Sequence, residues 1–200
     1  MAGSFDPSFQ EKDLTSKVVV GLERLSEVFR VMLWEKSKAT GLSPIQIQLL
    51  LFLHHHNDSL ANVSHLSKEF NLKKPTISDA IKSLYQKELI TKETGEDARA
   101  YTIHLTKNGK KILKTLVDYD MPLRESVESL STDETGMLYQ SMVVMIHHLN
   151  QSGIIQVQRT CLGCQFYKPN GAQAYCNYIK KQLEPNDLRL DCNDFKPTNE

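Results

Sequence analysis

Apolar and polar positions alternate with helical spacing through most of the first 150 residues. From about Gln10 a long helix is expected, because Val18, Leu22, Leu25, Phe29 and Met32 fall at i, i+4, i+7, i+11 and i+14 and lie along one stripe. Gly41 is placed to end it, and residues 1–9 lack periodicity and read as a loose arm. A second helix opens at Ser43, with Pro44 in the first turn and Gln46 at the third helical position, a capping-box pattern. Ile45, Leu49, Phe52 and Leu53 repeat along it, and His54, His55 and His56 sit at its end. Three successive helical side chains point in three directions, so these histidines read as a polar helix end near the negative dipole terminus.

The densest pattern lies between Asn62 and Leu105. Asn62 can cap a short helix holding Val63, Leu66 and Phe70, and Pro75 sits in the first turn of the next. In that second helix Ile77, Ile81, Leu84 and Tyr85 make the expected buried stripe. Pro75, Asp79, Lys82, Ser83 and Gln86 occupy the opposite face, beside Lys73 and Lys74. Two β-rich runs, LITKET and AYTIHLT, then flank the polar tip GEDAR, with Tyr101, Ile103 and Leu105 alternating against Thr102 and His104. A helical pair followed by a two-stranded ribbon reads as a winged helix-turn-helix, although a generic helical pair carries the same apolar spacing.

Further on, Thr106 can cap a helix through Ile112, Leu113, Leu116 and Val117, with Pro122 expected to kink or interrupt it. Ser131 and Glu134 form a capping box for a helix with Leu138, Met142, Met145 and Leu149 on one stripe. These apolar faces exceed what one small helix-turn-helix core can cover, and a dimer would cover the surplus.

Composition changes this picture little: 40% hydrophobic and 24% charged residues suit a soluble globular chain, and formal net charge is zero. The charge is uneven, however. Residues 61–115 carry eleven Lys/Arg against six Asp/Glu, which suits a phosphate-facing surface or a plain solvated face. No apolar run has the length of a signal peptide or membrane span, so a cytoplasmic location and no membrane partner are expected. No GxSxG, HExxH or P-loop appears, and no enzymatic activity is expected.

With these residues in hand, the region from Leu42 to Leu113 resembles the MarR family of winged-helix regulators. The resemblance rests on Leu66, Leu72, Ser78, Ile81 and Leu84 in the helical pair, Asp97 and Arg99 in the wing, and Leu105, Thr106 and Gly109 after it. In length and layout it extends to about residue 150. It implies a mainly α fold with a small β-wing, helices from both ends of the body pairing two subunits, and double-stranded DNA as partner. The helix from Lys74 to about Glu88 is then the recognition helix. Lys73, Lys74, Thr76, Ser78 and Lys82 are its candidate DNA contacts: lysines attract phosphate or guanine, and hydroxyls position the helix. Asp79 departs from the basic residue often found there and faces phosphate repulsion unless it accepts from a cytosine amine. Arg99 fits a minor-groove or backbone contact, with Asp97 implied to hold its guanidinium; alternatively the two form only a surface ion pair. Lys68, Lys92 and Lys107 can add nonspecific attraction. His147 and His148 read as surface or interface residues. In the family the switch is usually a small-molecule effector or cysteine oxidation.

The last forty residues differ in kind. All four cysteines, Cys161, Cys164, Cys176 and Cys192, lie there, spaced C-x2-C, x11, C, x15, C. In a reducing compartment such a cluster reads as metal ligands or redox thiols rather than disulfides. Phe166, Tyr167, Tyr175, Tyr178 and Phe195 offer a small apolar shell around them. Four thiolates suit Zn²⁺, the leading expectation, and also an iron-sulfur cluster or metal-free redox chemistry. The chain thus divides into residues 1–152, a DNA-binding and dimerisation domain with its reading head at about 42–113, and residues 153–200, a four-cysteine module. The leading reading is a dimeric transcription regulator with a C-terminal metal or redox site. The rival is a winged-helix protein-interaction module whose zinc tail docks a partner.

Overall fold

The computed structural model describes residues 3–94, 101–171 and 173–198. The chain enters through a single helical turn, α1 (Pro7–Gln10), where the Asp6 carboxylate accepts from the Ser8 N–H at 3.0 Å. The arm expected to be irregular is therefore partly helical. The long helix α2 (Leu14–Thr40) starts four residues later than its periodicity suggests, because Asp13 accepts from the Ser16 N–H at 2.9 Å and caps it there. Gly41, at φ 65°, ends it in the left-handed conformation that glycine adopts without strain.

The next helix, α3 (Pro44–His55), opens as expected: the Gln46 side chain turns back and accepts from the Ser43 N–H at 3.1 Å. One feature differs. Ile47 and Leu50 are fully buried along with Leu49, while Ile45 and Leu53 are only half-buried, so α3 is a central element covered on more than one side. A one-face stripe underestimates a helix surrounded by others. Helices α4 (Val63–Glu69) and α5 (Lys74–Gln86) form the helix-turn-helix, with Asn62 accepting from the His65 N–H at 2.9 Å to cap α4. Strands β1 (Ile90–Thr94) and β2 (Tyr101–Leu105) pair antiparallel, with Lys92 opposite Ile103. The Ile103 N–H donates to the Ala61 carbonyl at 3.0 Å and ties the wing to the segment entering α4.

Gly109 anchors the wing to the next helix, α6 (Lys107–Leu113). Its position there would put any Cβ 2.2 Å from the Leu89 carbonyl oxygen, so only glycine lets helix and strand approach this closely. Thr106 caps α6 by accepting from the Gly109 N–H at 3.0 Å and itself donates to the Glu88 carbonyl at 2.7 Å. After Leu113 the chain turns, and Pro122 lies in the first turn of a separate helix, α7 (Met121–Glu128). The proline begins a helix rather than kinking one. The Ser131–Glu134 capping box then starts α8 (Thr132–Gln151).

One apolar cluster runs from Leu33 through α3, α4, α5 and the wing to Leu116. It leaves out most of α2 and α8. Val18, Leu22, Leu25 and Phe29 remain 40–47% exposed, and Leu138, Val144 and Leu149 on α8 are exposed as well. The α2 stripe expected from the sequence is real: its last member, Met32, is buried, and the four before it are left exposed by the described residues. Among the described residues no helix is long and apolar enough to cross a membrane.

The C-terminal region is a three-stranded antiparallel sheet, β3 (Tyr167–Asn170), β4 (Gln173–Cys176) and β5 (Lys181–Leu183), in that order. Its only buried apolar side chains among the described residues are Ala174 and Leu183. It rests on α8, where the Tyr139 hydroxyl donates to the Leu188 carbonyl and Gln140 donates to Asn186 at 3.0 Å.

Candidate nucleic-acid interface and cysteine site

Helix α5 forms because Pro75 presets its first turn and Ile77, Ala80, Ile81 and Leu84 recur on the side facing α3 and α4. Burying that side turns the other outward. Lys73, Lys74, Thr76, Asp79 and Lys82 are exposed, and Ser78 is half-buried at the margin. Lys73 at the cap position supplies no oxygen to the helix, so the first-turn N–H groups keep no side-chain partner there. Cationic side chains and free N–H groups thus share one end of an exposed helix, an arrangement suited to phosphate. Among the described residues Lys73, Lys74, Lys82 and Asp79 make no ion pair.

Tyr85 corrects the expected stripe. It is 52% exposed, and Ala80 takes the fourth buried position. Eight residues on from Ile77, Tyr85 has rotated to the stripe's edge, while Ala80 lies one turn from it. Lys92 on β1 reaches over the Tyr85 ring at 5.4 Å and the Tyr101 ring at 4.6 Å, so the wing strand and α5 share a cationic, aromatic margin. The wing residues Asp97 and Arg99 lie outside the described residues.

Cys161, Cys164, Cys176 and Cys192, all unpaired thiols, line one cavity of about 30 Å³, together with Phe166, Tyr167 and Tyr178. The expected aromatic shell is therefore partial. Tyr175 is exposed, because alternation along β4 sends Ala174 inward and Tyr175 outward, and Phe195 lines neighbouring clefts instead. Cys161 Sγ accepts from the Arg189 N–H at 3.2 Å, and Cys192 Sγ accepts from the Arg189 guanidinium at 3.5 Å. Burial pushes the Cys161 thiol up, the Arg189 N–H opposes that, and the other three sulfurs push it up further. The other three sulfurs therefore lie near Cys161. Among the described residues, no three His, Cys, Asp or Glu side chains are drawn together in metal-holding geometry.

A third cluster, the contact between this module and the reading head, has almost no signature in the sequence. The Arg159 guanidinium donates to both Glu69 oxygens, at 2.6 and 3.0 Å, and to both Asp191 oxygens, at 2.6 and 3.2 Å. Its side chain is only 10% exposed and lies 5.6 Å from the Phe52 ring centre. His56, the last of the three histidines, stacks on Phe52 and places Nε2 2.8 Å from Asp191 Oδ2. The expected polar helix end is therefore a docking residue. Burial alone would pull the Arg159 guanidinium down, but its hydrogen bonds to Glu69 and Asp191 raise it above its ordinary value, so it is a permanent cation. Burial likewise pushes His65 down despite Glu69 at 3.4 Å, which keeps a second positive charge away from Arg159. The only signal in the sequence is adjacency: Arg159 and Asp191 lie two and one residues before cysteines.

Comparison with known proteins bears on the head. Residues 40–100 match the model of the MarR family. That segment is similar to the MarR family, and its fold is a winged helix. The wider fold is similar to S. aureus MepR in a structure described as a MepR–DNA complex, at 21% identity, over 66% of this chain and 97% of that one, with TM-score 0.59. It is also similar to a MarR transcriptional regulator from Methanosarcina mazei Go1, at 21% identity, over 65% of this chain and 95% of that one, with TM-score 0.55. At such identities the likeness is one of fold. No curated protein matches the chain. Both structures are covered almost fully, while about a third of this chain has no counterpart in them.

Proposed function

We propose that the chain is a dimeric, sequence-specific DNA-binding transcription regulator whose C-terminal module holds a metal ion on four cysteines. The observation that carries the DNA reading is α5. Its apolar side is sealed into the head, and its outward face presents Lys73, Lys74, Thr76 and Lys82 with an open N-terminal turn. Placed in a major groove, the lysines offset phosphate charge, while Thr76 and Ser78 reach phosphate or base edges. Asp79 selects against bases that cannot donate to it and favours cytosine. Arg99 and Asp97 of the wing are carried over from the family resemblance as the residues for the adjacent minor groove or backbone. The exposed apolar faces of α2 and α8 are the surfaces a second copy would cover, and two-fold pairing presents two α5 helices to a palindromic site.

The reading is tested by anisotropy with a labelled duplex taken from upstream of the protein's own coding region. Affinity is expected to fall steeply with salt, and Lys74→Ala or Lys82→Ala to reduce the logarithmic salt slope by about 1 each. Absence of binding even at low salt would remove the regulator reading and leave a protein-interaction module.

For the tail, the donor set and the shared cavity support Zn²⁺ held by Cys161, Cys164, Cys176 and Cys192. Bound there, the ion supplies a four-way cross-link and the folding free energy that a core of two buried apolar side chains lacks. Metal analysis with an absorption spectrum of anaerobically purified protein tests this. Stoichiometric zinc without a visible band is expected; a visible band replaces zinc with an iron-sulfur cluster, and absent metal with reversible thiol oxidation removes the ion altogether.

A further inference from the structure

From the clasp at Arg159 we infer that the cysteine site regulates the reading head, by fixing α4 and the turn that delivers α5; this rests on the metal and DNA readings above. The clasp has one end in each unit. On the cysteine side, the segment carrying Arg159 meets the segment carrying Asp191 in an isolated parallel bridge. The Cys192 N–H donates to the Arg159 carbonyl at 3.2 Å, and the Cys161 N–H donates to the Arg189 carbonyl at 3.1 Å. The two segments that Cys161 and Cys192 would tie through one ion are therefore the two that position Arg159 and Asp191.

On the head side the clasp grips the helix-turn-helix itself. Glu69, held by two hydrogen bonds from Arg159, is the last residue of α4. Two residues on, Asn71 stands in the turn before α5 with φ 51°, a left-handed backbone that asparagine tolerates. Its side chain accepts from Gln156 at 3.1 Å and donates to the Ile154 carbonyl at 3.4 Å, so the segment leading to Arg159 also holds the turn. The contacts reach α4 and the turn and leave the outward face of α5 open.

Arg159 ties these halves because its cation needs both carboxylates. If the 189–192 segment drifts, Asp191 leaves, and a largely buried guanidinium remains facing Glu69 alone. Such a half-satisfied network is poorly tolerated, so order is shared between cysteine site and head. A head already ordered by the clasp loses less conformational freedom on binding DNA, so the metal-loaded protein binds more tightly. By reciprocity, DNA tightens metal retention by the same factor.

The test uses the full chain, zinc-loaded and chelated, with two readouts: hydrogen exchange of amides 65–72, and anisotropy with the upstream duplex. Zinc loading is expected to slow exchange in that segment and to tighten DNA binding about fivefold or more, the ordinary range for coupled sites. In Arg159→Met and Glu69→Gln zinc stoichiometry should be retained, while both effects shrink to within about twofold. Glu69→Gln keeps the shape and serves if Arg159→Met does not fold. Zinc bound with unchanged exchange, tighter binding by the chelated protein, or an undiminished zinc effect in Glu69→Gln would each overturn the coupling alone. Protein that takes up no zinc overturns it together with the metal reading. Zinc-dependent protection in a protein that never binds the duplex supports the clasp but removes the regulator reading.

Discussion

The reading head and the cysteine module are held together in opposite ways. The head owes its order to one apolar cluster from Leu33 to Leu116, with caps and a single glycine approach setting where each element begins. The module buries Ala174 and Leu183 and little else among apolar groups, and leans on a small sheet, its cysteines and the ion pairs at Arg159. The difference teaches what each can report. A hydrophobic core is insensitive to solution chemistry, whereas thiols and ion pairs respond to metal, oxidant and partner. A sensor is better placed in the second kind of structure, provided something rigid reads it.

The contrast can be broken or sharpened in order of expected effect. Leu84→Ala removes a fully buried side chain from the centre of the head and should cost about 2–5 kcal/mol in denaturant unfolding. A cost near zero would mean that α5 is not sealed into the core. Gly109→Ala forces a methyl against the Leu89 carbonyl, and a loss of about 1–3 kcal/mol is expected from the backbone shift it demands. Unchanged melting would show that α6 can slide away from the wing. Leu183→Ala should strip hydrogen-exchange protection from β4 and β5 while costing the head, which feels the module only through the Arg159 clasp, much less than Leu84→Ala does. A matching loss in the head would show that the two units fold as one.

The smallest effect concerns pH. The Ser131 hydroxyl and N–H hold the Glu134 carboxyl below its ordinary value. Because its folded value is depressed, the cap's contribution is present above the ordinary glutamate range, about pH 4.3, and is lost as pH falls through the folded value. Amide signals at the start of α8 should report fraying as pH falls below the ordinary glutamate range in the native protein, and Glu134→Gln should abolish that titration. An identical profile in the variant would locate the acid sensitivity elsewhere.

Much of the head was legible because its signals are local. Asn62, Thr106 and Ser131 cap helices wherever the chain goes, and Ile77, Ile81 and Leu84 recur at the period of a buried helical face. Less of the site was legible. The outward position of Lys73, Lys74 and Lys82 follows from that same periodicity, but Tyr85 was misplaced because one helical turn decides whether a residue at the stripe's edge meets core or solvent. Of the module, the cysteine spacing alone was readable, and its sheet was not, since three strands of three or four residues are too short for a clear alternation.

By itself, then, the sequence determined the order of helices and ribbon, their caps, the polar face of α5 and the presence of four thiols. Only the tertiary structure decided that His56 docks instead of ending a helix in solvent, and that α3 is buried on more than one side. It also decided that Arg159 joins Glu69 to Asp191 across 90 and 32 residues of chain. The physical reason is range. Caps and periodicity act within a turn or two, whereas an ion pair between distant residues leaves no pattern until folding brings its members into hydrogen-bonding reach.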